Sequence, residues 1–307
     1  MRKKLPSFHP SRLKFMLSVG GLCLIVWFIL RTPNPFNVPL PQAGQPFFGV
    51  DAFSYWIAQA SSYQNHLSVA GFGAWRYAPI WLPLLWLPQH LPFTLFAYLI
   101  TTIEFVCLLY LTRSWVLASF CFVFVGFELF EGNIYLLSVA LLIFILRHAT
   151  QKSYLAGLWG FFLLTKVTPF ILVSWHLFRR EWRQLIWALG VSGLIIGLGL
   201  LLDRATWLAW ISSVMTTSTN VTEDSPWGLS LPIRLGISLG LVALGARWNR
   251  QVFLVPALFL AMPSIWWSTY SILIALYAAQ RLDQTSRKAT PPPKNLLAPS
   301  ETSIIKT

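Results

Sequence analysis

The sequence predicts an all-α polytopic membrane protein with about 10 transmembrane segments. The 307-residue chain is 56% hydrophobic and only 11% charged, whereas soluble globular domains carry about 25% charged residues. Its mean hydropathy is +0.61. The apolar residues fall in runs of roughly 15 to 20 along the whole chain, which suits helices that cross a bilayer. We therefore expect most packing partners to be lipid and other helices.

The apolar runs also set the predicted domain organisation. A basic segment, 1–12, precedes the membrane domain, 13–280, and a Pro-rich, disordered cytoplasmic tail, 281–307, follows it. No small-residue cleavage site follows the first run, which favours a retained anchor over a signal peptide. The pair 154–165 and 168–178 is short enough to form a hairpin that only partly crosses. The predicted segments are 13–30, 93–112, 115–130, 134–147, 154–165, 168–178, 184–202, 231–246, 251–262 and 264–280.

The net charge of +13 predicts membrane orientation rather than a nucleic-acid partner. With a cytoplasmic N-terminus, the short loops that carry most of the 23 Lys and Arg residues fall on the cytoplasmic side. We therefore expect a multi-pass protein of the plasma membrane with both termini in the cytoplasm. The basic residues left on the outer side are Arg31, Arg76, Lys166, Arg204 and Arg234.

This orientation predicts an outer face with two long loops, about 31–92 and 203–230. Turns near 130–133 and 165–169 join them on that side. Most of the chain's carboxylates also gather there, so we expect any active site on the outer face. They are Asp51, Glu128, Glu131, Asp203, Glu223 and Asp224.

Asp51 opens a segment, DAFSYWIAQA, that is compatible with a short amphipathic helix lying in the membrane interface. Phe53, Trp56, Ile57 and Ala60 share one face at helical spacing. Asp51 stands at the N-terminal end, either as an N-cap or as a functional carboxylate. The Pro-rich stretch that follows at 75–92 argues against a regular crossing helix.

Several other polar residues have both a functional and a structural interpretation. Lys166 lies amid apolar residues, where an ammonium is either functional or extends to the headgroups. Arg76 is either a second functional cation or an interfacial anchor. Glu128 is either part of the site or a surface carboxylate. The cysteines lie within apolar runs and the histidines lack ligand spacing, so the sequence predicts no metal and no cofactor.

Four stretches, in order, and a further late stretch resemble the membrane glycosyltransferases of the GT-C superfamily, and most closely glycosyltransferase family 87, the polyprenol-phosphate-mannose-dependent mannosyltransferases. The resemblance covers about residues 45 to 280. The turn Glu131-Gly132-Asn133 departs from the Gly-Gln-x-Asn of many relatives, and Thr269 stands where a His is common. The stretches are VDAFSYW, RYAPIWLPLLWLPQHLP, EGNIYLLSVALLIFILRHATQKSYLAGLWG, TKVTPFILVSWHLFRREWRQ and AMPSIWWSTYSILIAL.

The resemblance implies a GT-C-type helical bundle with an interfacial helix in its first outer loop. It further implies inverting transfer of a hexose, mannose by preference, from a polyprenyl-phosphate donor to a lipid or glycan acceptor. The expected partners are this donor, this acceptor and the membrane lipids. Asp51 would be the catalytic base. Lys166 and Arg76 would bind the donor phosphate, and the residues expected to bind sugar or acceptor are Asn133, Glu131, Tyr55 and Tyr77.

Two alternatives come from other classes of protein. A transporter or flippase for a lipid-linked or small solute predicts paired internal repeats with matching Gly/Pro breaks, and the sequence has no convincing repeat. The second alternative is a non-catalytic subunit that docks in the membrane. This interpretation assigns no role to Asp51 and Lys166.

Overall fold

The computed structural model describes residues 49–59, 77–220, 228–263, 265 and 267–289. These residues form helices joined by short connections, and no strand occurs among them, so the predicted all-α class is confirmed. The predicted first segment, 13–30, and Arg76 lie outside the described residues.

The helices follow the predicted segments closely from residue 93 onward. The α-helices are α1 Val50–Trp56, α2 Trp81–Trp86, α3 Phe93–Thr112, α4 Trp115–Glu131, α5 Tyr135–His148, α6 Gly160–Thr165, α7 Ser174–Phe178, α8 Trp182–Leu202, α9 Arg204–Asn220, α10 Leu231–Trp248, α11 Leu254–Ala261 and α12 Ala275–Ala289. The 3₁₀ helices are Pro88–His90, Ser153–Trp159, Thr168–Val173, Gln251–Phe253 and Trp267–Ile274.

Among the described residues, α3, α8 and α10 are each long and apolar enough to cross a membrane. A fourth crossing results if Phe124–Glu131 and Tyr135–His148, whose axes bend by 109°, count as one span. The lipid-facing character is clearest in α8, where Leu201 and Leu202 are 82% and 86% exposed. The protein is thus a helical membrane protein, while about ten crossings stay a prediction.

The short predicted segments are broken helices. Ser153–Trp159 continues into α6, and Thr168–Val173 continues into α7. Lys166 is the extended residue that ends α6, with φ −141° and ψ 90°. Residues 77–92 contain only the six-residue α2 and one 3₁₀ turn, as their prolines predict.

Two segments contain more helix than the sequence predicts. α12 continues to Ala289, so residues 281–289 are helical rather than part of a disordered tail. Residues 204–220 of the predicted loop 203–230 form α9. Trp207 and Trp210 of α9 are buried, at 3% and 4% exposed, and pack α9 against the rest of the bundle.

Two hydrophobic clusters organise the bundle. The larger one joins α3, α4, α5, α11 and the 3₁₀ helix Trp267–Ile274. The smaller one lies beneath α1 and joins its Phe53 to Phe93 of α3, Leu164 of α6, and Trp207 and Trp210 of α9. Within this arrangement α1, which carries Asp51, packs directly against α3, α4 and the 3₁₀ helix Pro88–His90.

Two glycines with left-handed backbone allow α1 to approach its neighbours closely. Gly49 has φ 77°, and a Cβ there would lie 2.8 Å from the Cβ of Ala97. Gly132, in the turn between α4 and α5, has φ 70°, and its Cβ would lie 2.9 Å from the Cβ of Ala52. The amide of Gly49 also donates to the carbonyl of Phe130 at 2.7 Å. Both positions thus require glycine for conformation and for space.

We expect Gly132→Ala to destabilise the protein, because the new Cβ meets Ala52 and a left-handed alanine costs about 1–2 kcal/mol. Gly193→Ala is the matched control, since no atom lies within 4 Å of its Cβ position on α8. Thermal unfolding of the purified proteins in detergent compares them. An unfolding midpoint for Gly132→Ala equal to that of Gly193→Ala would contradict the close approach.

Candidate active site

Asp51 lies in the first turn of α1, but it is not the N-cap. Gly49 occupies that position, and no side chain bonds to the helix start. The N-cap interpretation of Asp51 is therefore wrong, because the left-handed Gly49 begins the helix earlier than the aspartate. The helix also ends at Trp56, before Ala60, and its buried residues are Ala52, Phe53 and Tyr55. The carboxylate is thus available for contacts outside its own helix.

Asn133 makes the main contact with Asp51. Its Nδ2 donates to Oδ2 of Asp51 at 2.6 Å, and its Oδ1 accepts from the amide of Ile134 at 2.8 Å. The second interaction fixes the orientation of the Asn133 amide. Oδ1 of Asp51 accepts no hydrogen bond from the described part of the chain. Asn133 therefore holds one carboxylate oxygen, and no described residue donates to the other.

Burial raises the pKa of Asp51 above its ordinary value. The positive charge of Lys166 and the hydrogen bond from Asn133 both lower this pKa and so partly offset the effect of burial. A carboxylate whose pKa is raised in this way is a stronger base than one in water.

Lys166 is bound by Tyr135, the first residue of α5. Its Nζ donates to the Tyr135 hydroxyl at 2.8 Å and lies 4.0 Å from the centre of the Tyr135 ring. An ammonium has three donors, so the bond to Tyr135 leaves donors for another ligand. The extended backbone at Lys166, between two broken helices, directs this side chain toward α5.

Asp51 and Lys166 belong to one electrostatic site without forming an ion pair. Each charge acts on the other, yet no pair within 4 Å joins them, since the ion pairs among the described residues both involve Glu181. The site can therefore accept a proton at Asp51 and bind an anion at Lys166 on a ligand that lies between them.

The structure also brings the predicted tyrosines together. The hydroxyls of Tyr55 and Tyr77 are 3.1 Å apart, and their rings meet edge to face at 5.4 Å. Tyr77 is placed by its neighbour Ala78, whose amide donates to the carbonyl of Leu164 at 2.8 Å, two residues before Lys166. Both tyrosines lie within electrostatic range of Asp51.

Glu131 lies near the same carboxylate. The charge of Asp51 acts on Glu131, and the Glu131 side chain interacts with Ser268 in the 3₁₀ helix Trp267–Ile274. The late segment that resembles family 87 thus contacts the site. All predicted site residues except Arg76, which lies outside the described ranges, come together here.

Two buried glutamates support the site from the interior. Glu128 is 1% exposed, which excludes the surface interpretation, and its Oε1 accepts from the amide of Leu136 at 2.8 Å. Glu104 is fully buried next to it and accepts from the amide of Leu137 at 3.2 Å. These carboxyl groups satisfy free amides in the first turn of α5, the helix that begins with Tyr135.

Sequence reasoning missed Tyr135 and Glu104. Glu104 had a signal, because it is a single carboxylate inside the apolar run 93–112. Tyr135 had none, because its role follows from a contact with a residue 31 positions away.

Arg234 has a structural role away from Asp51. Arg234, which the sequence predicts on the outer side, is fully buried and donates to the carbonyls of Met262 at 2.6 Å and Pro263 at 2.9 Å. It therefore acts as an internal brace for the chain after α11. Within the described ranges, no three His, Cys, Asp or Glu side chains group together as metal ligands.

Comparison with known proteins assigns the chain to a family. No curated protein and no solved structure matches it. The model of glycosyltransferase family 87 matches residues 75–286, which is more than half of the chain. The match includes Asn133, Tyr135 and Lys166 and begins after Asp51, so the place of Asp51 in the site depends on the geometry above. The chain therefore belongs to glycosyltransferase family 87, a family of membrane glycosyltransferases.

Proposed function

We propose that the protein transfers a hexose, mannose by preference, from a polyprenyl-phosphate donor to a lipid or glycan acceptor, with inversion and at the outer face of the membrane. One observation carries the proposal. Asp51, which Asn133 holds, and Lys166, which Tyr135 holds, act on each other electrostatically but form no ion pair. A transferase of this kind needs a base at one side of the sugar and a cation at the other. Membership of a glycosyltransferase family favours this function over the transporter alternative.

Asp51 is the proposed general base. Its Oδ1 takes the proton from the acceptor hydroxyl as that oxygen bonds to C1 of the sugar. The bond between C1 and the phosphate oxygen breaks, and its electron pair leaves with the polyprenyl phosphate. Because a single displacement at C1 has one attacking and one leaving oxygen on opposite faces, the configuration inverts.

Lys166 is the proposed partner of the leaving phosphate. A cation that is already positioned stabilises the charge that develops as the donor bond breaks. Its bond to Tyr135 supports this role by fixing the ammonium before substrate arrives. We propose Asn133, Glu131, Tyr55 and Tyr77 as contacts for sugar or acceptor, and Arg76 as a second cation.

Asp51→Asn tests the proposal most simply. We expect sugar transfer to fall by about 10²–10⁴ because the general base is lost. The assay uses purified protein, polyprenyl-phosphate mannose or glucose, and a panel of lipid acceptors. Asp203→Asn is the matched control, since Asp203 only accepts from the amide of Thr206, at 3.2 Å. Near-normal turnover by folded Asp51→Asn would exclude Asp51 as the base.

The pH dependence provides a second test. The base must be ionised, so kcat/KM should fall on the acid side with a pKa above the ordinary value for Asp, because burial raises the pKa of Asp51. Asn133→Ala removes a hydrogen bond that lowers this pKa, so the acid limb of the variant should move to higher pH. A limb that stays in place or moves to lower pH would contradict the proposed contact.

Lys166→Met tests the donor side. We expect kcat to fall by about 10²–10³, the usual loss for one group that stabilises developing charge, and the KM for the donor to rise more than the KM for the acceptor. Lys152→Met, a change of the same kind at an exposed lysine, should keep wild-type kinetics. An equal rise in both KM values would indicate a structural role for Lys166.

A further inference from the structure

A second polar site lies at the opposite end of the bundle from Asp51. α3 begins at Phe93, whose ring packs on Phe53 at 5.2 Å, and it ends before Arg113. α3 has 20 residues, so its ends are about 30 Å apart. α5 likewise begins at Tyr135 in the candidate active site and carries Arg147 in its last turn. Arg113 and Arg147 thus lie far from the proposed chemistry.

These two residues line a cavity of about 550 Å³, the arginine pocket, together with Arg179 and Arg281. Its lining also includes apolar residues of α3 and α5, among them Leu111 and Leu146. None of the residues that line it is acidic. Such a pocket combines a strong positive potential with an apolar wall.

The four arginines differ in the contacts that they already make with other side chains. Arg179 donates to Glu181 at 2.6 Å and to Asn249, and Arg281 lies 5.4 Å from the centre of the Tyr277 ring. Arg113 and Arg147 form no ion pair with any described residue. The nearby carboxylate of Asp283 is buried and accepts from the amides of Gln251 and Val252. Because a guanidinium has five donors, Arg113 and Arg147 retain donors for an anion even though Arg147 also interacts with the Tyr110 hydroxyl.

Two buried polar atoms in the lining are placed to bond a ligand. The side-chain oxygen of Gln251 is buried and has no hydrogen-bond partner among the described residues. The Tyr110 hydroxyl is also buried, and it interacts with the Arg147 guanidinium. A buried polar group without a partner costs about 1–3 kcal/mol. A ligand with a phosphate and a free hydroxyl would satisfy both, since the phosphate accepts from Tyr110 and the hydroxyl donates to Gln251.

We propose that the arginine pocket binds a phosphate ester that carries a free hydroxyl group. Basic pockets between membrane helices on the cytoplasmic side characteristically hold anionic headgroups, and the charge distribution of the sequence predicts that this end is cytoplasmic. Two kinds of molecule have this chemistry. One is a lipid headgroup of the adjacent leaflet, and the other is a soluble phosphate ester. The inference does not depend on the function proposed for Asp51.

Binding measurements on the full-length protein in detergent test this inference. The lipid probe is phosphatidylglycerol, with phosphatidylcholine as the neutral comparison, and the soluble probe is glycerol 3-phosphate. We measure retained lipid by native mass spectrometry and the apparent Kd from the shift in thermal unfolding. Saturable binding of phosphatidylglycerol in preference to phosphatidylcholine assigns a lipid source, and binding of glycerol 3-phosphate alone assigns a soluble one.

The decisive variant is Arg113→Asn/Arg147→Gln, in which Asn tolerates the left-handed backbone at position 113 (φ 51°). At about 1 kcal/mol per arginine, the apparent Kd should rise about thirtyfold. Arg183→Gln/Arg247→Gln removes the same charge from exposed positions outside the pocket and should leave the Kd unchanged. Tyr110→Phe replaces the double variant if that variant does not fold, and it should also weaken binding.

Two results would overturn the inference. One is the absence of saturable binding by either probe. The other is an equal loss of affinity in the pocket variant and in the charge-matched control, because that result would mean that the surface charge as a whole attracts the anion.

Discussion

The hydrogen bond from Asn133 to Asp51 is the interaction on which the candidate active site depends. It joins α1, which contributes the carboxylate, to the turn between α4 and α5, which also leads directly into Tyr135. The same turn therefore places the partner of the carboxylate and the partner of Lys166. Gly132 allows this arrangement, since a side chain at that position would meet Ala52 and push α1 away.

Two buried glutamates hold this turn in place, and burying them costs free energy. Burying the carboxyl groups of Glu104 and Glu128 next to each other is unfavourable unless hydrogen bonds compensate. They gain those bonds from the first free amides of α5, at Leu136 and Leu137. Because Tyr135 immediately precedes these amides, the buried pair fixes the residue that binds Lys166. Glu104 and Glu128 thus support the site through the first turn of α5.

The sequence predicted the long helices well and the local geometry of the site poorly. Segment 93–112 coincides with α3 because Pro92 and Arg113 bound its apolar run. α9 was missed because Ser and Thr lower its hydropathy, although Trp207, Trp210 and Ile211 recur at helical spacing. The sequence identified Asp51, Asn133 and Lys166 individually. Their contacts depend on chain segments that are 82 and 31 residues apart, and no local pattern encodes such distances.

The central claim is that Asn133 acts through Asp51, and a double-mutant cycle in kcat/KM for sugar transfer tests it most directly. Asn133→Ala should reduce kcat/KM when Asp51 is present. In the Asp51→Asn background, the same change should have little further effect, because the carboxylate that Asn133 holds is gone. If the double variant instead loses the full product of the two single losses, Asn133 and Asp51 act independently and the account of the site is wrong.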